Sequence, residues 1–457
     1  MPTVPAQIDT FLAANLNRFI AELTELCAQP SISARSEGTR DCSQLVGQIL
    51  ERHGLSVQTF ETAGNPVLVG RAPGRADRTL LCYNHYDVQP PEPLELWTTP
   101  PFQPTLRDGA LYARGVADDK GELICRLAAL EAVRAAHDGE LPCSVLFVVE
   151  GEEEIGSPTV AQFVLDHLDL LACDGSIWEG GGIGPDGAPG LTLGARGVLS
   201  VELSVQTMSR DAHSGGANIF PNAAWRLLRV LESLKTPDEH ILIPGWYDRV
   251  RPPSAQDLAL LDALPTFEDV MREVYGLSSF VLGRTGHALN RAVFEPTCNV
   301  QGITTGYQGH GGKTIVPSQA SAKLDFRLVP DQVPEELLDK LRAHLAAGFG
   351  DVTITYRGAM RPSRVSPDSP FVRLTAETGQ AVYGHPAQIV PIGGGSTPIY
   401  AFAGPLGGIP VVTAGVGYWD NRAHAPNEHM RLVDFLNGAR HIARIMDGFG
   451  GLPPLKA

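Results

Sequence analysis

The sequence predicts an α/β protein in which a mainly parallel-sheet domain, with helices on both faces, is interrupted by a ferredoxin-like α+β domain. Three observations predict it. The chain has 457 residues, about three times the length at which a single-core domain is most common, so more than one core is expected. Short apolar runs alternate with segments of helical period near both ends of the chain, the pattern of a parallel sheet covered by helices. From about Gly197 the rhythm changes to β-α-β-β-α-β, which matches a ferredoxin-like unit.

Taken in order, residues 79–84 (TLLCYN) form a short apolar run and read as a strand. Residues 122–136 carry Leu123, Leu127, Leu130 and Val133 at helical spacing, and 144–149 (SVLFVV) read as a buried strand. A helix over 159–168 and a strand over 175–178 follow. In the middle segment, strands are expected over 198–207, 299–304, 319–329 and 352–356, with helices over 221–234 and 334–347. Residues 235–298 make an unusually long insertion in that unit. Beyond about Pro370 the α/β texture returns, with a helix over 371–383, a Gly-rich segment at 393–395, a strand over 410–414 and a closing helix from Leu432. The simplest organisation is one domain built from residues 1–196 and 371–457, with 197–370 inserted as a second.

Hydrophobic residues make up 43% and charged residues 19% of the chain, ordinary for a globular protein, and no apolar run nears the roughly 18 residues of a membrane span. The start, MPTVPAQIDTFLAANLNRF, has neither a basic segment nor a continuous apolar one, so a cytoplasmic protein is expected. Seven cysteines stand singly, without a C-x-x-C pair, which suits neither a disulfide framework nor a thiolate zinc site. The net charge of -15 is spread without a basic stripe, which argues against nucleic acid as a partner.

The chemistry gathers just after the expected strands. His85 and Asp87 follow TLLCYN, Glu150 to Glu154 follow SVLFVV, Glu179 follows SIW, and His424 lies beyond VVTAG. Ligand sites in open α/β sheets form outside the carboxyl ends of the strands, so these residues converge. Asp118 and Asp119 join them at a loop-to-helix junction before Lys120. Two imidazoles and at least three carboxylates in one place require a cation. Nitrogen and oxygen donors without thiolate suit Zn²⁺, with Mn²⁺ or Co²⁺ as alternatives. Five ligands exceed the three protein groups usual for one catalytic zinc, and fit a pair of ions roughly 3.5 to 4 Å apart.

The strings NHYDVQP (84–90), ARGVADDKG (113–121), EGEEEIGS (150–157) and RAHAPNE (422–428) carry a resemblance to the metallopeptidase family of carnosinase, cytosolic nonspecific dipeptidase, carboxypeptidase G, aminoacylase and succinyl-diaminopimelate desuccinylase. RDAHSG (210–215), KTIVP (313–317), DFRLVP (325–330) and GGGSTP (393–398) extend it over most of the chain, closest to the dipeptidase branch. The resemblance implies that His85 and Glu179 bind one metal, Glu154 and His424 the other, and that Asp118 bridges both. Asp87 would orient His85. Glu153 would be the general base, taking a proton from the metal-bridging water and passing one to the leaving amine.

The inserted domain, by the same resemblance, acts as lid and dimerisation domain. His213 is similar to an imidazole that stabilises the oxyanion across a dimer interface. Thr314 and Arg327 are similar to groups that hold the substrate's carboxylate or carbonyl, and Gly394, Gly395 and Ser396 would offer backbone N–H groups to it. An Arg327–Asp325 ion pair along one strand face, and a loop-capping role for His213, are the plainer alternatives. The expected activity is hydrolysis of dipeptides or small peptides. The alternative is hydrolysis of N-acyl amino acids: many dipeptidases of the family carry Asp where Glu179 stands, and aminoacylase-like members carry Glu.

Overall fold

In the computed structural model, which describes residues 2–453, the chain divides into two units. One comprises Met1–Gly194, Val365–Pro391 and Pro398–Ala457; the other comprises Ala195–Arg364 and Ile392–Thr397.

The first unit is built on a six-stranded sheet whose strands are β1 (Ser56–Phe60), β2 (Val67–Ala72), β3 (Ala76–His85), β4 (Cys143–Glu150), β5 (Gly175–Trp178) and β6 (Val411–Thr413). Their spatial order is β1-β2-β4-β3-β5-β6. The last four are mutually parallel, and β1 and β2 add an antiparallel hairpin at one edge.

Helices cover both faces, and the side-chain alternation of β3 shows how. Asn84 points to one face, where its Oδ1 accepts from Arg126 Nη1 at 3.1 Å. Tyr83 points to the other, stacked on Trp178 at 3.7 Å between ring centroids and met edge-on by Phe402 at 5.2 Å. Arg126 belongs to α2 (Lys120–Ala136), and Phe402 to α3 (Ile399–Ala403). α1 (Val4–Ala28) and α4 (Leu432–Phe449) pack against α2. That explains why α2 is buried on nearly every side, Leu123, Leu127, Leu130 and Val133 included. Truncating one of these leucines to Ala would cost about 2 to 5 kcal/mol.

Two short sheets were not legible as strands in the sequence. One joins Gly182–Ile183, Pro189–Thr192, Gln388–Val390 and Gly417–Tyr418; the other pairs Ala110–Tyr112 with Thr105–Arg107 and His429–Arg431. The helix expected over 159–168 ends at Asp166, and a separate turn runs Leu168–Leu171.

In the second unit, Gly197–Gln206, Thr297–Thr305, Gln319–Leu328 and Val352–Met360 form an antiparallel sheet with the first and third of these strands central. With the helices Ala223–Glu232 and Pro334–Gly348 this is the ferredoxin-like order. One face of the sheet, with Leu199, Leu203 and Phe326, packs on Leu227 and Leu341 of those helices. The long insertion contributes Ile241, Ile243 and Trp246 to the same core. Residues 392–397 group with this unit, where Arg196 N–H donates to the carbonyls of Gly393 (3.3 Å) and Gly395 (2.9 Å). Among the described residues, no helix is long and apolar enough to cross a membrane.

Candidate metal centre

Parallel pairing sends the carboxyl ends of β3, β4 and β5 to one edge of the sheet, and the chemistry follows from that. His85 is the last residue of β3, Glu179 follows β5 directly, and β4 runs through Glu150 into the turn Glu153–Ile155. Asp118 arrives on the loop before α2, and His424 on the loop between Gly417–Tyr418 and His429–Arg431.

Two constellations share one carboxylate. His85 Nε2 lies 3.0 Å from Asp118 Oδ1 and 3.5 Å from Glu179 Oε2. His424 Nε2 lies 3.0 Å from Asp118 Oδ2 and 3.2 Å from Glu154 Oε2. Each oxygen of Asp118 therefore faces a different imidazole. Donors at about 2.0 to 2.1 Å around a tetrahedral ion stand roughly 3.3 Å from one another, so the imidazole–carboxylate distances in both sets are those of ligands to a shared ion. Asp118, Glu154 and His424 keep their donor atoms within 4.8 Å. Glu179 Oε2 is buried without a hydrogen-bond partner, an arrangement a cation would complete. The nitrogen and oxygen donors fit a divalent ion at Asp118, Glu154 and His424, and His85 brings a second imidazole and Glu179 beside the other oxygen of Asp118.

The supporting bonds fix which atoms face inward. His85 Nδ1 donates to the Asp87 carbonyl at 3.0 Å, so that in the neutral ring Nε2 carries the lone pair a metal would take. The Asp87 carboxylate, fully buried, accepts from the backbone N–H of Glu153 (3.2 Å) and Glu154 (3.1 Å). Asp87 thus orders both the imidazole and the acidic turn. Gln89 Nε2 donates to Glu154 Oε2 at 2.8 Å, and Trp178 Nε1 to Glu179 Oε1 at 3.2 Å. Asp119 accepts from Asn84 Nδ2 (2.6 Å) and from His85 N–H (3.1 Å).

Lys120, next in the motif, has no part in this cluster. Its Nζ donates to the carbonyls of Leu26 (3.2 Å) and Gln29 (2.7 Å), satisfying the end of α1. Glu428 was not singled out in the sequence, because every group its carboxylate binds lies more than 300 residues earlier.

The electrostatics are those of crowded acids around two imidazoles. Burial, with Glu154 and Asp118 adding to it against His85, pushes Glu153 from 4.5 up to about 7. Burial drives Glu179 well above its ordinary range, with Glu153 reinforcing it. Hydrogen bonds to Asp118 and Glu154 raise His424 to about 10. For His85, burial opposes the charged form, but bonds to Asp118 and Asp87 outweigh it and the pKa rises. Burial likewise opposes ionisation of Asp118, yet the two imidazoles hold its carboxyl far below the usual range.

The residues expected to contact substrate lie in the second unit. His213 is exposed, and its Nδ1 accepts from Gly215 N–H at 3.0 Å. It caps a loop in the way the plainer alternative foresaw. In the neutral ring that bond leaves Nε2 as the free donor. His213 pairs with Ile315 on a two-residue ladder, and Ser214 N–H donates to the Thr314 carbonyl at 3.1 Å. Arg327 Nη1 donates to Ser396 Oγ at 2.8 Å, while its Nε stands 3.7 Å from Asp325. Around Gly394 and Gly395 the space that a side chain would occupy is open.

A carboxylate with an imidazole at each of its oxygens, at the carboxyl edge of an α/β sheet, suits the two-metal chemistry that many hydrolases use. The sequence comparisons agree and are narrower. The chain belongs to peptidase family M20/M25/M40, whose model matches residues 81–448, and it is a metallopeptidase. It is 27% identical over 392 residues to the Cys-Gly metallodipeptidase dug1 of Schizosaccharomyces pombe, covering 82% of this chain and 81% of that one. It is 24% identical to the Beta-Ala-His dipeptidase of Rattus norvegicus, over 93% of this chain and 87% of the relative. Among solved structures, the M20 family metallo-carboxypeptidase Sso-CP2 of Sulfolobus solfataricus superposes with a TM-score of 0.88 at 34% identity, covering 95% and 99% of the two chains.

Proposed function

We propose that the protein is a dinuclear zinc dipeptidase that hydrolyses the peptide bond of dipeptides and small peptides. The observation that carries this reading is the two-sided Asp118 carboxylate, with one oxygen toward His85 and the other toward His424. Asp118 would be common to both metals, with His85 and Glu179 completing one set and His424 and Glu154 the other. Bound there, divalent ions would acidify the attacking water and polarise the scissile carbonyl.

The chain's own residues do the rest. Glu153, held by burial at a pKa of about 7, is suited to take the water's proton and return it to the leaving amine. Asp87 keeps Glu153 and the His85 imidazole in register. His213 offers an Nε2–H to the developing oxyanion, and Arg327 pairs its planar fork with the substrate's carboxylate beside Ser396 and Gly395. Thr314, just before the strand Ile315–Val316, would hold the substrate as well.

We place His213 across the interface of a homodimer formed through the inserted, lid-like domain. A cytoplasmic location is supported by seven cysteines that are all free, six of them buried.

The names of the relatives support dipeptides as substrates. A second reading, stepwise removal of carboxyl-terminal residues from longer peptides, is favoured by the name of the 34%-identical structure. A mass-spectrometric screen of the zinc-loaded enzyme against dipeptides, longer peptides and N-acyl amino acids separates them. Dipeptides should be cleaved fastest; cleavage of N-acyl amino acids alone would reject the peptidase reading in favour of an amidohydrolase.

A further inference from the structure

The segment that carries His424 ends in Glu428, a carboxylate that the proposed reaction does not use. It is fully buried. Its Oε1 accepts from the backbone N–H of Ala117 (2.9 Å) and of Asp118 itself (3.1 Å). Its Oε2 accepts from Gly115 N–H (2.9 Å) and from Arg114 Nη1 (2.7 Å), a side chain only 1% exposed.

The local fold explains how these groups meet. His429–Arg431 and Ala110–Tyr112 are antiparallel partners, with His429 opposite Tyr112. Glu428 therefore leaves one end of the ladder where Ala113 leaves the same end on the other strand, and Ala113 N–H donates to the Glu428 carbonyl at 3.2 Å. The turn from 113 to 118 wraps round the carboxylate. Gly115 is needed in it: φ is +84°, and an added Cβ would stand 2.7 Å from Val88.

We propose that Glu428 is a positioning residue that sets the direction of Asp118, the carboxylate common to both metals, and so controls the affinity of both sites at once. The inference rests on the metal-site reading above. Three of the four donors are backbone amides of the turn, that of Asp118 among them, so the carboxylate fixes the main chain from which the bridging side chain would spring. It also lies four residues after His424, so one buried charge ties the bridging ligand to the loop of the other metal's imidazole. A ligand that serves one metal would affect one site when disturbed; Asp118 serves two.

The test compares wild type, E428Q and E428D. Gln keeps an oxygen for one pair of donors and turns an NH₂ toward the other. Asp keeps the charge but is one methylene too short to reach all four. Zinc affinity is measured by competition with a chromophoric chelator, and the visible absorption of the Co²⁺-loaded protein reports ligand geometry. The expected result for E428Q is a loss of 10- to 100-fold in the affinity of both ions, the range for partners that orient metal ligands. The cobalt bands should shift, and kcat should fall at saturating zinc with KM little changed. E428D gives the same reading if E428Q does not fold. Leu12→Ala, a buried change in α1, should lower thermal stability without moving either metal readout.

Wild-type zinc affinity and an unshifted cobalt spectrum in E428Q and E428D would overturn the inference, as would a loss confined to one ion. A wild-type protein that binds no pair of ions would instead overturn the metal-site reading on which it stands.

Discussion

Stripping the metal from this protein should leave a fold whose stability falls as pH rises from about 4.5 to beyond 7. The cause is a site that holds protons more tightly when folded. Burial and neighbouring carboxylates raise Glu153 from 4.5 to about 7, and burial raises Asp119 from 3.8 to about 6. A carboxyl with a raised folded pKa keeps its proton through a range where the unfolded chain has lost it, so the folded state binds more protons and stability declines with pH. The raised imidazoles act in the same direction: the contribution of His424 is full below 6.5 and is lost as pH rises through about 10. Asp118 acts oppositely, because its pKa is depressed; its contribution is present above 3.8 and is lost only in stronger acid.

For Glu153 alone, the rise from 4.5 to about 7 corresponds to on the order of 3 kcal/mol, at about 1.4 kcal/mol per pH unit. Bound cations replace those protons, so the gap between metal-loaded and stripped protein should widen with pH. Urea unfolding at pH 5, 6, 7 and 8, with and without a chelator, measures that gap. A stripped protein as stable at pH 8 as at pH 5, or a gap that stays constant, would refute the reasoning.

Glu153→Gln should keep its full metal content while turnover falls by at least about 100-fold, checked by metal analysis beside dipeptide cleavage. Arg327→Ala should raise KM by about 10- to 100-fold for substrates with a free carboxylate, the scale of a lost bond to a charged group; carboxyl-amidated analogues should show no such difference. His213→Ala should lower kcat by about 10²- to 10³-fold with a smaller change in KM, as expected for one lost oxyanion donor. Leu127→Ala, within the buried α2, should cost about 2 to 5 kcal/mol in urea unfolding.

The order of elements was largely legible because apolar runs and helical spacing declare themselves locally. The strands around TLLCYN, SVLFVV and SIW appear within a few residues of where their apolar runs lie. The β1–β2 hairpin was not read, since SVQTF is half exposed and alternates weakly. In the site, His85, Glu154 and Glu179 could be placed from the chain because each follows a strand. His424 could not, except through its motif: its nearest preceding strand is only Gly417–Tyr418, a two-residue piece paired to Gly182–Ile183. The bond network of Glu428 was invisible for a different reason. A buried carboxylate is recognisable only by its partners, and these lie 310 to 314 residues away.

That contrast separates two ways of holding a ligand. His85 and Glu179 stand at strand ends, where the parallel ladder of β3 with β4 and β5 fixes the backbone. Asp118 and His424 stand on loops, and His424 adopts a φ of +62°, a conformation that costs a residue with a side chain on the order of 1 kcal/mol or more. Loops cannot hold donors to within a fraction of an ångström by themselves, so buried carboxylates take over that role. Asp87 orders the Glu153–Glu154 turn, and Glu428 orders the turn of Asp118. On the proposed metal-site reading, the acids divide into those that would face a cation and those that hold the backbone of the first group. Each of the second kind binds main-chain N–H groups, and Glu428 the Arg114 guanidinium as well, so its charge is offset locally and the two kinds of acid stand close together.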